Sequence, residues 1–359
     1  TWIWTLVFYL RKFIFPLENL PIYRMPEPAT LTSWHFFMPV ITCLVIVYLL
    51  YRFRRDRLFI FSFAFFFFSI FFLLKYDQLD AVIVNDRFMY LPGMGFCYLL
   101  AYYGIKMFDW AKGRGETAKK AVVLFSILLG ATVLVKTMQQ NTIWKDDESL
   151  WGHLLKYRPE SAMAHFGMGQ VAYEQGREEE AFEHYKKSLA KNPNYAKANS
   201  NFGQMLYERG QEEQALEYFK IAIELDPDYL EAHNNYGAIL SELGNHQAAK
   251  DYLAKMILQY GAVNKAAVIL YISLGKIYYE NGDLLAAEQI LNESLMIAPD
   301  NASAYNRLGE VYMAQEKFDA AVGVFKKVIE IEPGYQKAVD SLNSALEQKK
   351  AIEEKFVLP

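Results

Sequence analysis

Apolar positions follow two patterns along this chain. As far as residue 138 they form unbroken runs at 34–51, 58–74, 91–108 and 121–135. Beyond that point they recur at helical spacing among charged residues. Phe59–Phe68 has no polar face, and nothing nearby in the chain could cover four such helices in a soluble core. The runs therefore predict four transmembrane helices within 33–138. A spanning helix needs about 20 residues to cross a ~30 Å hydrocarbon layer. The fourth run reaches that length only if the stems of Lys119, Lys120 and Lys136 complete it. Residues 1–32 read as an interfacial helix or the stub of a further span (Thr1–Phe15), followed by an outer loop with Pro16, Pro21, Pro26 and Pro28. The chain opens on Thr1 without a basic leader, and the expectation is a fragment lacking its N-terminal portion.

The second half repeats itself. Pro159, Pro193 and Pro227 are 34 residues apart, as are Pro299 and Pro333. Gly169, Gly203, Gly237, Gly275 and Gly309 step by 34, 34, 38 and 34. Gly176, Gly210, Gly244 and Gly282 follow seven behind, and Ala181, Ala215, Ala249, Ala287 and Ala321 twelve behind. A 34-residue period with these spacings is that of the tetratricopeptide repeat, a pair of antiparallel helices A and B. The glycines and alanines are small so that A and B can approach. Tyr185, Phe219, Leu253, Leu291 and Phe325 fill the groove beside them, and each proline ends helix B. This predicts a half-repeat at 139–161, five repeats over 162–335 and a capping helix and tail at 336–359. An insertion at Asn264–Ala267, with Gly261 in place of proline, predicts an irregularity between the third and fourth repeats. The fold class expected is all-α, a polytopic transmembrane helical region followed by a tetratricopeptide-repeat α-solenoid.

Charge divides the same way. Residues 1–144 hold 15 Lys/Arg against 8 Asp/Glu, and residues 145–359 hold 22 against 33. An acidic soluble half repels phosphate backbones, so no nucleic-acid partner is expected. The loops at Arg52–Arg57 and at 109–120 carry the basic residues and belong on one cytoplasmic face. Everything after the fourth span, the repeats included, is then extracytoplasmic. Cys43 and Cys97 both sit in apolar runs, which leaves neither a disulfide framework nor a metal site.

Solenoids present an extended concave wall, here built from helix A. Its sixth position holds Asn201, Asn235 and Arg307. Gln170 and Gln204 lie near them, then Tyr173, Tyr207 and Tyr279, each followed by a glutamate. Asparagine offers a donor and an acceptor to a peptide backbone whatever its side chains. This set therefore predicts a groove for an extended polypeptide or protein, the alternative being bonds within the repeats. His153, His165, His184, His233 and His246 read as surface or groove residues. Asn292-Glu293-Ser294 and Asn301-Ala302-Ser303 match the glycosylation acceptor pattern.

No nucleophile–base set, phosphate loop or metal cluster appears, so the catalytic residues are unassigned. Asn85-Asp86-Arg87-Phe88-Met89-Tyr90-Leu91-Pro92 stands where the outer loop re-enters the membrane, a depth at which charged groups are functional candidates. Arg87 could take a phosphate bidentately or anchor to a lipid headgroup.

The run from Asp86 to Pro92, then a span, a basic loop, a span and repeats, resembles the transmembrane and tetratricopeptide-repeat-containing proteins and their bacterial relatives. Phe88 replaces the first tyrosine of their motif. Tyr9–Leu17, Trp144 and Leu150-Trp151 resemble the bacterial members. The resemblance implies a GT-C glycosyltransferase that takes a sugar from a polyprenyl-phosphate donor; its eukaryotic members are protein O-mannosyltransferases. Asp86, Arg87 and Tyr90 would contact donor phosphate or lipid, and the repeats would present the acceptor. The catalytic acid of such enzymes lies in the first outer loop, so this chain is expected not to catalyse transfer alone. It further implies a bacterial inner membrane with periplasmic repeats, or the endoplasmic reticulum with lumenal ones. The reading from a different class is a non-catalytic, membrane-anchored scaffold for envelope proteins.

Overall fold

The computed structural model describes residues 34–71, 90–260 and 264–357, and the chain divides into two units, 1–164 and 165–359. Among the described residues every regular element is helical.

In the first unit the apolar runs form α1 (Trp34–Arg52), α2 (Arg57–Phe71), α3 (Tyr90–Lys112) and α4 (Glu116–Ile143). The end of the expected 58–74 run lies outside the described residues. α2 and α3 pair antiparallel. A Cβ on Gly95 would stand 2.7 Å from the backbone oxygen of Ser62, so the two backbones meet where only glycine fits. At the other end of the pair the Tyr103 hydroxyl donates to the Asp56 carboxylate at 2.9 Å.

α4 is 28 residues long, about 42 Å at 1.5 Å per residue. The hydroxyls of Ser126, Thr132 and Thr137 donate to the carbonyls of Val122, Leu128 and Val133 at 2.9, 2.8 and 2.9 Å. Each hydroxyl donor is thereby satisfied within its own helix. Among the described residues α4 is the one helix long and apolar enough to cross a membrane. The apolar run itself ends at residue 135, where the fourth span is expected to end. The helix instead continues, because no glycine or proline interrupts 131–143. Three residues, Trp144–Asp146, remain before α5 (Asp147–Tyr157). Asp146 caps α5 by accepting the Ser149 N–H at 2.8 Å.

The repeats follow as helix pairs: α6 (Ala162–Glu174) and α7 (Glu178–Lys191), α8 (Ala196–Glu208) and α9 (Glu212–Leu225), α10 (Leu230–Glu242) and α11 (His246–Tyr260), α12 (Val268–Glu280) and α13 (Leu284–Ile297), α14 (Ala302–Ala314) and α15 (Phe318–Ile331). α16 (Gln336–Val357) follows the last pair. The insertion becomes a 3-10 turn at Lys265–Ala267, capped where Asn264 accepts the Ala266 N–H at 2.9 Å.

The core is set by a steric fit repeated down the array. Tyr185, Phe219, Leu253, Leu291 and Phe325 are all buried, and Ala181, Ala215, Ala249, Ala287 and Ala321 wholly so. A Cβ on Gly169 would lie 2.7 Å from the Tyr185 ring, on Gly237 2.6 Å from Leu253, on Gly275 2.8 Å from Leu291 and on Gly309 2.5 Å from the Phe325 ring. The large side chain of helix B thus occupies the space that the helix A glycine vacates.

The second glycine class has another cause. A Cβ on Gly176, Gly210, Gly244 or Gly282 would meet nothing, but each residue has a left-handed φ of 73 to 82°. These glycines close helix A and turn the chain into helix B. At the fifth turn the same place holds Glu316, at φ 60°, a conformation that costs a residue with a Cβ about 1–2 kcal/mol.

Replacing Glu316 by glycine is expected to stabilise the chain by about 1 kcal/mol. Gly309→Ala should destabilise it by about 1–3 kcal/mol through overpacking against Phe325. Urea unfolding followed by helical circular dichroism reads both. An unmoved midpoint for Glu316→Gly would mean that the fifth turn is unstrained.

Candidate functional site

Because A helices stack at a fixed offset, side chains at equal repeat positions form rows along one face. Tyr173 donates its hydroxyl to Glu208 at 2.6 Å, and Tyr207 donates to Glu242 in the next repeat. Each tyrosine reaches the glutamate 35 residues ahead. In the fourth repeat Lys276 takes over, 3.6 Å from both Glu242 and Glu280. Arg307 and Lys337 then hold Glu310 at 2.8 Å each. The row runs from α6 to α16.

Its electrostatics follow from these pairs. The hydrogen bond to Glu208 pushes the Tyr173 phenol up to about 12, and the bond to Glu242 does the same for Tyr207. Both therefore stay protonated donors at neutral pH. Burial works to raise the Glu310 carboxyl, but Lys337 and Arg307 override it and hold the group below the usual glutamate range. The tyrosine–glutamate pairs are half open to solvent, where each adds at most about 1 kcal/mol. They align the helices more than they stabilise them.

The expected groove residues fall on or beside this row. Gln204 donates to Glu208 at 2.8 Å and Asn201 to the Tyr185 hydroxyl at 3.2 Å. Asn235 accepts from Asn234 at 3.2 Å. Among the described residues the Asn201 carbonyl oxygen and the Asn235 amide nitrogen have no partner. An open acceptor in the second repeat is thus followed by an open donor in the third. Gln170 is exposed at the start of the row. Tyr279 is half-buried against the Ala287–Leu291–Leu308 cluster. Asp86 and Arg87 lie outside the described residues, and so does the side chain of Tyr90, which opens α3.

Sequence reasoning missed Lys337, which sits on the capping helix 27 residues after its glutamate. It also missed the row of buried polar groups at the fourth position of helix A. Asn199 donates to the Pro193 carbonyl at 2.8 Å, and His233 Nε2 donates to the Pro227 carbonyl at 2.8 Å. The signal was present: His165, Asn199 and His233 are 34 apart, each six residues after a proline. His165 and His233 are buried rather than at the surface or in the groove. His165 and His184 meet through Nδ1 at 3.1 Å.

The two glycosylation patterns are occupied structurally. Asn292 donates to the Glu288 carbonyl at 2.9 Å beside a fully buried Ser294, and Asn301 caps α14 by accepting the Ala304 N–H at 2.9 Å. Among the described residues no three His, Cys, Asp or Glu side chains are arranged to hold a metal ion.

Models described as tetratricopeptide repeat match residues 162–195, 184–217 and 278–347, and one described as TPR repeat matches 203–244. The chain is 32% identical over 111 residues to the protein O-mannosyl-transferase TMTC1 of Homo sapiens, a stretch covering 31% of this chain and 12% of that protein. It is 33% identical over 112 residues to protein O-mannosyl-transferase Tmtc2 of Drosophila melanogaster, covering 31% and 11%. Among solved structures, a thermophilic TPR protein of Thermus thermophilus is 21% identical, with 52% of this chain and 99% of that one covered and a TM-score of 0.46. The chain carries tetratricopeptide repeats and is similar over a third of its length to these transferases.

The histidine pair makes stability depend on pH. Burial, then the neighbouring His165 and the Lys187 and Arg177 cations, depress the His184 imidazole, against a smaller opposing pull from Glu180. Its stabilising contribution is complete above the unfolded value of about 6.5 and is lost as pH falls below it, because the unfolded chain binds the proton first. Urea midpoints should fall from pH 7.5 to pH 5.5, and His184→Gln should flatten that slope. An equal slope in the variant would exclude the pair as its source.

Proposed function

We propose that this chain is the repeat-bearing part of a membrane glycosyltransferase that uses a polyprenyl-phosphate-sugar donor and acts on protein. Its helix A face holds the acceptor polypeptide. The observation that carries this reading is the 32% identity to a protein O-mannosyl-transferase over a third of the chain. The geometry supports it in two ways. The polar row of helix A leaves Asn201 open as an acceptor and Asn235 as a donor, the pairing a peptide backbone needs. The exposed apolar surface of α4 calls for lipid.

In this reading α1, α2 and α3 cross the membrane with α4, and the basic turns are cytoplasmic. The repeats then share a compartment with Asp86, Arg87 and Tyr90, the candidates for donor-phosphate contact. The bacterial periplasm fits best, with the lumen of the endoplasmic reticulum second. The competing reading is a non-catalytic membrane scaffold, which the tetratricopeptide-repeat matches within 162–347 would support equally well.

Transfer from a polyprenyl-phosphate-mannose donor, assayed with the product of the complete reading frame in native membranes, separates the two. The enzyme reading expects labelled protein, and about ten-fold less label with Arg87→Ala on loss of a charge-assisted phosphate contact. A photo-crosslinker at Asn235 should capture the same labelled protein. Capture without transfer would leave the scaffold, and wild-type label with Arg87→Ala would remove Arg87 from the donor site.

A further inference from the structure

The turn between α1 and α2 reads Arg52-Phe53-Arg54-Arg55-Asp56-Arg57. Its single acid faces the helices. Asp56 Oδ1 accepts the N–H groups of Leu58 and Phe59, each at 3.1 Å, and so caps α2. Asp56 Oδ2 accepts the Tyr103 hydroxyl of α3 at 2.9 Å. A carboxylate used in this way is withheld from the arginines on either side of it.

Arg52, Arg54, Arg55 and Arg57 are exposed, and among the described residues no acidic side chain pairs with any of them. Arg52 lies 5.7 Å from the centroid of the Phe53 ring and Arg54 4.5 Å from that of Tyr51. Such stacking orders a guanidinium without neutralising it. Lys106, just beyond Tyr103 on α3 and 4.3 Å from the Tyr102 ring centroid, adds a cation on the helix to which the turn is tied. The Tyr103–Asp56 bond thus makes one cationic surface from two segments 47 residues apart.

This surface stands at the ends of α1 and α2, whose exposed faces are otherwise apolar: Leu44, Val47, Tyr48, Phe61 and Phe68 all face outward. An occupant must be anionic at one end and apolar along the rest, a description that fits a lipid and excludes a nucleic acid or an acidic peptide.

We propose that the Arg52–Arg57 turn with Lys106 is a binding site for anionic phospholipid. The guanidinium groups take the phosphate and headgroup oxygens, and the acyl chains lie along α1 and α2. The inference rests on the reading above that these helices are embedded in a membrane, and it assigns the cytoplasmic end of that region a ligand of its own.

The test is native mass spectrometry of the full chain extracted from membranes, with phosphatidylglycerol and phosphatidylcholine supplied in equal amounts. Carbonate extraction first establishes whether the chain is embedded. Release by carbonate would sink the membrane reading itself. For an embedded chain the site predicts selective retention of phosphatidylglycerol, weakened by salt. It also predicts about ten-fold or greater loss of that selectivity in Arg54→Gln/Arg55→Gln, each basic side chain being worth on the order of five-fold at an anionic surface. Arg114→Gln, on the separate α3–α4 loop, should retain the lipid. Carbonate extraction of each variant shows that it has inserted. Equal retention of the two lipids, or unchanged selectivity in the double variant, would overturn the proposal. So would displacement of the lipid by inorganic phosphate at about 10 mM, which would make the turn a free-anion site.

Discussion

The closeness of helix A to helix B at one point per repeat governs the rest of the array. Gly309 under the Phe325 ring leaves no space for even a methyl group, and the other repeats place tyrosine, phenylalanine or leucine in the same slot. Because interiors are packed at crystal density, that fit fixes both the spacing and the rotation of each pair. The rotation brings Tyr173 to Glu208 and Tyr207 to Glu242. A looser slot would let the A helices turn, and the polar row from α6 to α16 would lose its register. The polar face of the A helices is thus a consequence of sterics on the buried side.

The array was largely legible because the same steric demand recurs every 34 residues and leaves a small residue each time. What stayed hidden involves pairs whose members belong to different repeats. The Tyr-Glu dipeptides at 173–174, 207–208 and 279–280 are plain in the sequence. That Tyr173 and Tyr207 each serve the next repeat's glutamate, while Lys276 does so in the fourth repeat, depends on stacking, which spacing alone does not encode. The two glycine classes look alike as letters but answer separate constraints, one steric and one of backbone conformation; Glu316 exposes the difference by holding the second without being glycine. His233 was misjudged because histidine is ambivalent in burial, and its reason lies in a proline carbonyl six residues back.

In the first unit the apolar runs marked the helices, and a lack of breakers carried α4 well past its last apolar residue. Asp56 was invisible as a structural residue. Within an arginine-rich run it reads as charge balance, whereas it serves helix ends. Asp86 and Arg87 lie outside the described residues, and their proposed donor-phosphate role comes from the sequence and its resemblance alone.

α4 acts as a ruler. At about 42 Å it is roughly 12 Å longer than a hydrocarbon layer of ~30 Å, with polar residues at both ends: Glu116, Lys119 and Lys120 at one, Lys136, Gln139, Gln140 and Asn141 at the other. Inserting or deleting one helical turn between Lys136 and Ile143 would change that length by about 5 Å and leave the Asp146 cap of α5 in place.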